Sequence, residues 1–535
     1  MARAGEKTLS SDEAVLASLG YKQELKRDFG ALELFGLAFS LIGIVPSIAS
    51  VLIYALPNGG PVALVWGWAA SSFFIIFVAL AIAELGSSMP TSGGVYYWTY
   101  QLCSPRYRTL VSWLVGYINT TAYISGIAGI DYSLALQVVA AASIGSDLNY
   151  IPTTAQIYGV FIAILLMHCV LVSMTTKFLA RMHAVSVFIN IGLVLVFLIG
   201  IPIATPAEFR NSASFAFGHF ENLYDWPNGF AFFLSFLAPL WSVGGFDSTV
   251  HISEEARNAK TAVPWAIVCA VTAGCILGFV LNIVIAFHMG PDVAAVLGSP
   301  FGQPMATILL NSFGKNGCLA IWSFIIIDQF FIGTSILTIS SRQNFAFSRD
   351  GAFPFSRTLY HLNSRLTTPV YSVWVSGFLA ALIGLLSFAG TIAVSALFTL
   401  GIVGQYVSDA TPIIARFVGG QPFKPGPFTL GKFSLPVAIV AVAWMSFMSI
   451  VLLFPVTLQT NAQNMNYTVV VLGGVTILAL AYYFFPRFGG ANWFEGPAHT
   501  IETLHGRVDD ADAGSGSFET EKADATAAVG VAEER

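Results

Sequence analysis

Apolar residues in this chain are gathered into long stretches nearly free of charge, separated by short polar connections. A bilayer core of ~30 Å is crossed by about 20 apolar residues in α-helix. Reading for such runs predicts twelve spans: 33–56, 62–86, 108–142, 155–176, 182–204, 229–250, 262–290, 317–345, 369–389, 391–417, 433–457 and 466–486. The third and eighth are long enough to tilt or to project into the cytosol. Spans nine and ten are divided only around Gly390. The expected fold class is therefore all-α and integral to a membrane, with about 12 transmembrane helices.

The charges test that count. An even number of spans puts both termini on one side, where Lys and Arg should collect. Of the 24 basic residues, all but Arg210 and Lys315 fall in the N-terminal segment 1–32, in alternate connections, or in the tail 487–535. An error of one span would scramble this bias, so both termini are placed in the cytosol. The tail after about residue 506 is rich in Asp, Glu, Ala, Gly and Ser. Such a composition does not bury enough apolar surface to fold alone.

Composition narrows the class. Hydrophobic residues make up 56% of the chain and charged residues 10%, against about 25% charged in a soluble domain. That surface needs a lipid bilayer as partner. A net charge of −5 gives no footprint for nucleic acid. The five cysteines show no CxxC spacing, and no HExxH, Gly-x-Ser-x-Gly or phosphate loop is present, so neither an enzyme, a metal centre nor a cofactor is expected.

Two spans carry interruptions. Span one reads Gly43-Ile44-Val45-Pro46-Ser47, and span six reads Trp241-Ser242-Val243-Gly244-Gly245-Phe246-Asp247. Pro46 lacks an amide hydrogen and its ring crowds the carbonyl of Ile42. Spans one and six open two five-helix stretches, 33–204 and 229–417, that start on opposite faces of the membrane because five is odd. This is a 5+5 inverted repeat, with 433–486 as two extra helices. Broken helices at matching places in inverted halves mark binding sites in many transporters, although Gly and Pro also make ordinary kinks. Half-helix N-termini attract a carboxylate, and C-termini with free carbonyls attract an ammonium or a cation. A zwitterion suits such a site without a buried Lys or Arg, and no span has one at its middle.

Carboxylates inside a membrane default to function. Asp247 follows the span-six break and is the first candidate for a proton site, with Asp328 of span eight as a substrate-binding candidate. Asp131 and Asp409 equally suit pairing with a hydroxyl or lining a wet crevice. Glu84, Glu254 and Glu255 sit at span ends, where they either pair with Arg257, Arg342 or Arg349 to close an inner gate or serve as plain interfacial charges. His168, His183 and His288 read as packed hydrogen-bonding residues.

Five stretches resemble the amino acid–polyamine–organocation superfamily: Gly43–Ser50; Met89-Pro90-Thr91-Ser92-Gly93-Gly94-Val95-Tyr96-Tyr97-Trp98; Gly244-Gly245-Phe246-Asp247; 254–259 with 263–267; and 341–354. Within it the wording of span one is similar to fungal amino acid/choline permeases, the GABA permeases above all. The resemblance implies the leucine-transporter fold, a site between spans one, three, six, eight and ten, and alternating access usually coupled to protons. It gives Trp241 the place of an aromatic cap on substrate and Asp247 that of an acid linking transport to pH. The usual Gly-x-Gly of span one is replaced here by Gly43-Ile44-Val45-Pro46-Ser47, which keeps choline-like cations open. The resemblance makes H⁺ the expected coupling ion; span five lacks the Lys of many sodium-independent relatives, and Thr334 and Ser335 suit sodium ligation, so Na⁺ stays open as the alternative.

The expectation is a secondary active transporter of GABA or a related amino compound, in the plasma membrane rather than the vacuolar one. A choline or polyamine permease on the same fold is the alternative, and a nutrient sensor that binds without transporting is the alternative from another class. Expected substrate-binding residues are Gly43, Ile44, Val45, Pro46, Ser47, Trp241, Ser242, Gly244, Phe246 and Asp328, with Asp247 for the proton and Glu254, Glu255, Arg342 and Arg349 as gate.

Overall fold

The computed structural model describes residues 11–498, apart from Thr175, Phe246, Ser364, Arg365, Thr367, Thr460 and 462–464. The expected Phe246 contact and the acidic stretch after 506 lie outside the described residues. Residues 25–496 form one compact unit, and the helix Ser11–Ser18 belongs to a second, small one. The regular elements among the described residues are all helices, with two isolated bridge pairs in place of strands.

Each predicted run coincides with helix. Spans one to five are Ala31–Ala55, Gly60–Ser88, Arg108–Gly145, Thr154–Val172 and Arg181–Ala204. Span six is Asn228–Ser242, span seven Ala259–His288, span eight Pro304–Arg349, span nine Val370–Ala389 and span eleven Gly431–Val451. Thr391–Val418, carrying Asp409 and Arg416, is span ten, and Thr468–Tyr483 is span twelve. Nine of the helices among the described residues are each long and apolar enough to cross a bilayer.

The boundaries shift for physical reasons. Span eight begins well before 317, because Gly314 turns the chain at φ 66° and a further helix from Pro304 is fused there. Pro304 opens it, where the missing amide hydrogen costs nothing. Span eleven stops at Val451, and the Asn466 amide then donates to the carbonyls of Leu452 and Phe454 at 2.7 and 3.0 Å. Span four starts on a reciprocal cap in which the Thr153 hydroxyl accepts from Gln156 N and the Gln156 side chain accepts from Thr153 N.

The two halves are interleaved in space. Span six lies on the second half of span one, span seven on span two, span eight on span three and span nine on span four. In these four pairs, helices five apart in order are neighbours in space, whereas span ten lies on span three. The polypeptide before span one is also laid beside the one after span six: Phe29 N donates to Glu255 O at 3.0 Å, and Arg257 N donates to Phe29 O at 2.8 Å. The first residues after span twelve are packed too. Trp493 and Phe494 meet the fully buried Trp113 ring of span three edge-on at 5.7 and 5.1 Å.

Candidate functional site

Span one bends at one residue. Gly43 adopts φ 42°, ψ 67°, between helices Ala31–Ile42 and Ile44–Ala55. A side chain there would be strained in the left-handed region and would run into Ile332 of span eight. Pro46 is the third residue of the second helix, among first-turn amides that have no intrahelical partner anyway. The carbonyl it deprives, Ile42 O, accepts instead from the Ser47 hydroxyl at 2.6 Å. The proline therefore does not leave a free carbonyl at Ile42.

Span six opens more widely. Helix Leu237–Ser242 ends, Val243, Gly244, Gly245 and Asp247 lie outside helix with Gly245 at φ 77°, and a short helix Ser248–His251 follows. Its backbone is met from another span: Gly245 N donates to the Gln405 side-chain oxygen at 3.2 Å.

Between the two breaks lies a cavity of about 60 Å³, several times the ~10–15 Å³ that one water needs. Its wall takes Leu41 and Ser47 from span one, Tyr123 and Gly126 from span three, Trp241, Gly244 and Gly245 from span six, Ile332 and Ile336 from span eight, and Gly401 and Gln405 from span ten. Glycines make room for the indole. A methyl at Gly129 or Gly401 would come within 3.0 or 3.3 Å of the Trp241 ring. Phe398 meets that ring edge-on at 4.6 Å.

No charged side chain lies among the cavity's described lining residues; the charge sits one layer behind. Asp247 is fully buried. Its Oδ1 accepts from Tyr123 OH at 2.6 Å and from Gln405 Nε2 at 2.5 Å. Its Oδ2 accepts from Asn119 Nδ2 at 3.3 Å and faces His251 Nε2 at 3.1 Å. Tyr123 and Gln405 thus touch both the cavity and the acid.

Sequence comparison bears on this arrangement. The sequence model described as amino acid permease matches residues 29–475. An uncharacterised amino-acid permease of Schizosaccharomyces pombe is 37% identical over 495 residues, 92% of this chain and 90% of the relative. The GABA-specific permease of Saccharomyces cerevisiae is 38% identical over 497 residues, covering 92% and 86%. Amino-acid permease 2 of Neurospora crassa is 33% identical over 496 residues, covering 92% and 90%. The chain belongs to the amino acid permease family. It is an all-α, multi-pass membrane protein, and the relatives are named permeases rather than enzymes.

The remaining candidates of this permease are spread over several places. Ser47, Trp241 and Gly244 are on the cavity wall, whereas Gly43, Ile44, Val45 and Pro46 shape the bend without lining it. Ser242 is buried off the wall. Asp328 stands in a separate cluster, where its Oδ1 accepts from Ser186 at 2.8 Å and Ser186 accepts in turn from Ser40 at 2.8 Å. Asp131 pairs with His168 Nδ1 at 3.0 Å, an imidazole rather than a hydroxyl or wet crevice. Asp409 is buried with neither oxygen hydrogen-bonded.

At the other end of the break, Arg349 donates through both terminal nitrogens to Glu254, at 3.0 and 3.1 Å. Arg342 Nε donates to Glu255 at 2.9 Å. Both pairs are buried and tie the exit of span six to span eight. Glu84 takes a different partner from those expected, Arg416 of span ten, at 2.6 Å. Burial pushes the Glu254 carboxyl up, but Arg349, Ser92 N and the Thr91 hydroxyl outweigh it and hold the group below the usual carboxylate range.

Sequence reading missed Tyr123, Asn119, Gln405 and His251. His251 had a signal, since four residues on a helix bring it over Asp247. The other three reach Asp247 only through the packing of spans three and ten against span six.

Proposed function

We propose that the chain is a proton-coupled permease for GABA or a closely related small amino acid, residing in the plasma membrane with both termini in the cytosol. The observation that carries this reading is the small cavity between the two interrupted spans, with Asp247 held directly behind its wall by Tyr123 and Gln405. Peptide groups at a helix break and the Trp241 face suit a short zwitterion. The resemblance to a relative named GABA-specific permease supports the substrate. A choline or polyamine site would call for an acid on the wall, and Asp131 and Asp328 are engaged with His168 and Ser186 instead. Trp241 closes over bound substrate, and the Glu254–Arg349 and Glu255–Arg342 pairs act as the inner gate.

The test is uptake of radiolabelled GABA by proteoliposomes holding the purified chain, at two pH values, with and without sodium. Expected are uptake that rises on the acid side, indifference to sodium, and competition by unlabelled GABA but not by choline. Binding without uptake would make the protein a sensor, and competition by choline would overturn the substrate.

A further inference from the structure

His251 is fully buried, and each ring nitrogen faces an oxygen. Nδ1 lies 2.8 Å from the carbonyl oxygen of Ser92, in the connection after span two. A carbonyl only accepts, so Nδ1 carries a hydrogen. Nε2 lies 3.1 Å from Asp247 Oδ2. With Nδ1 protonated, a neutral ring turns a lone pair toward Asp247, and a carboxylate oxygen answers with another. That contact is attractive only with one more proton in it, as imidazolium and carboxylate or as imidazole and carboxylic acid. The pair therefore holds two protons in this geometry, one toward Ser92 and one toward Asp247. The Asp131–His168 pair has no such requirement. Its Nδ1–H serves the carboxylate and its Nε2 meets no oxygen, so a neutral ring suffices.

Ser92 is held from the opposite side as well. Its amide donates to Glu254 Oε1 at 3.0 Å, and the same oxygen accepts from Arg349. One residue thus connects the imidazole to the ion pair that ties span six to span eight. The His251 ring also covers Gly94, where a methyl group would come within 2.8 Å of it.

The charged and titratable groups around His251 are accounted for element by element. On its own stretch stand Asp247, Glu254 and Glu255. Span three supplies Tyr123, ring to ring at 5.4 Å and bonded to Asp247. Span eight supplies Arg342 and Arg349, each paired to a glutamate. Span ten supplies Asp409, which interacts electrostatically with Asp247; the charged residues at the starts of spans seven and one are Lys260 and Glu33, and Glu33 is turned to Gly30 N. A lysine or arginine bonded to Asp247, which would remove the need for a shared proton, is not found among the described residues.

We propose that the His251–Asp247 pair is the carrier of the coupling proton and that Ser92 is the link by which gate opening discharges it. This rests on the proton-coupled reading above. When Glu254 and Arg349 part, Ser92 moves and its carbonyl leaves Nδ1. The ring then keeps a single hydrogen, on Nε2, donated to the Asp247 carboxylate. The Nδ1 proton passes to water on the opened side, so the pair goes from two protons to one. Tyr123, Gln405 and Asn119 support the carboxylate that remains, and the first two line the cavity, so occupancy by substrate and by proton are sensed by the same side chains.

The test uses the full chain in proteoliposomes with a pH dye trapped inside, following proton entry beside radiolabelled GABA. The wild type is compared with His251→Gln, Asp247→Asn and Glu254→Gln, each used only if it elutes as a single species in detergent. Expected is a fall of about tenfold in protons moved per GABA in His251→Gln, matching Asp247→Asn. In Glu254→Gln, where the gate is loosened, the midpoint of the pH dependence shifts by about one unit toward acid, because the discharged form is favoured. A His251→Gln protein with the wild-type proton ratio overturns the proposal while leaving proton coupling intact, as does an unmoved midpoint in Glu254→Gln. A wild type that moves GABA without protons overturns the underlying reading instead. Should the His251 variant not fold, proton uptake on GABA binding by the wild type in weak buffer decides: none between about pH 5 and 8, the histidine window, overturns the proposal.

Discussion

The two interrupted helices of this permease are repaired in opposite ways. In span one a single residue leaves helical geometry. Hydrogen bonds run up to it, Gly43 N to Phe39 O at 3.1 Å, and resume past it, Ser47 N to Gly43 O at 2.8 Å. The Ile42 carbonyl is satisfied by a hydroxyl five residues along the same span. In span six Val243, Gly244, Gly245 and Asp247 all lie outside helix, and Gly245 and Asp247 are met by Gln405, Tyr123 and Asn119 from spans ten and three. A break repaired from within keeps its shape whatever surrounds it. One repaired from outside keeps it only while its neighbours stay in place. Span six is therefore the element whose conformation registers movement of the rest of the bundle.

Predictions follow from that contrast, the largest effect first. Glu254→Ala removes the anchor at the far end of the span-six break and leaves Arg349 buried without it. A loss of about 3–5 kcal/mol is expected, read as a lower thermal midpoint in detergent, with Glu254→Asp recovering part of it. Gln405→Leu strips a partner from both Gly245 N and Asp247. Losing two buried partners costs about 2–3 kcal/mol, and a raised KM for GABA should accompany it. Gly43→Ala forces a side chain into the left-handed region at about 1–2 kcal/mol, with the contact on Ile332 added to it. Ser47→Ala frees only the Ile42 carbonyl, for about 1 kcal/mol, and Ser47→Thr should restore it. If Ser47→Ala proved more damaging than Gln405→Leu, the division into internal and external repair would be wrong.

The smallest effect concerns pH. Glu254 lies beyond the spans, with its folded pKa held below its unfolded value. Its contribution is complete above the ordinary glutamate pKa of about 4.3 and is lost only as pH falls through the lowered one. The stability difference between wild type and Glu254→Gln should stay level through neutral pH and shrink only in acid.

What was legible in the sequence is what a one-dimensional pattern encodes. Lipid imposes runs of apolar residues, so the helices appear where the runs do. Gly43 and Gly244-Gly245 announce the breaks because few other residues tolerate such backbone. The polarity of the breaks was not legible. Pro46 reads as the disruption of span one, yet it sits in a first turn that has no use for its amide, and the hydroxyl beside it takes the carbonyl it deprives. Asp328 reads as an acid at mid-depth, but its partner Ser186 lies 142 positions away in span five. The donors to Asp247 come from residues 119, 123 and 405, an association that only tertiary packing creates. Boundaries slipped where an unforeseen element was fused on, as at Gly314 in span eight.

The packing of spans one to four on spans six to nine also governs how the molecule is made. Spans one to four present to spans six to nine faces on which those helices rest, although spans one and five, and three and four, also pack on each other. On leaving the translocon the early half therefore has partners for some of its faces and must hold the others against lipid until the ribosome completes the later half.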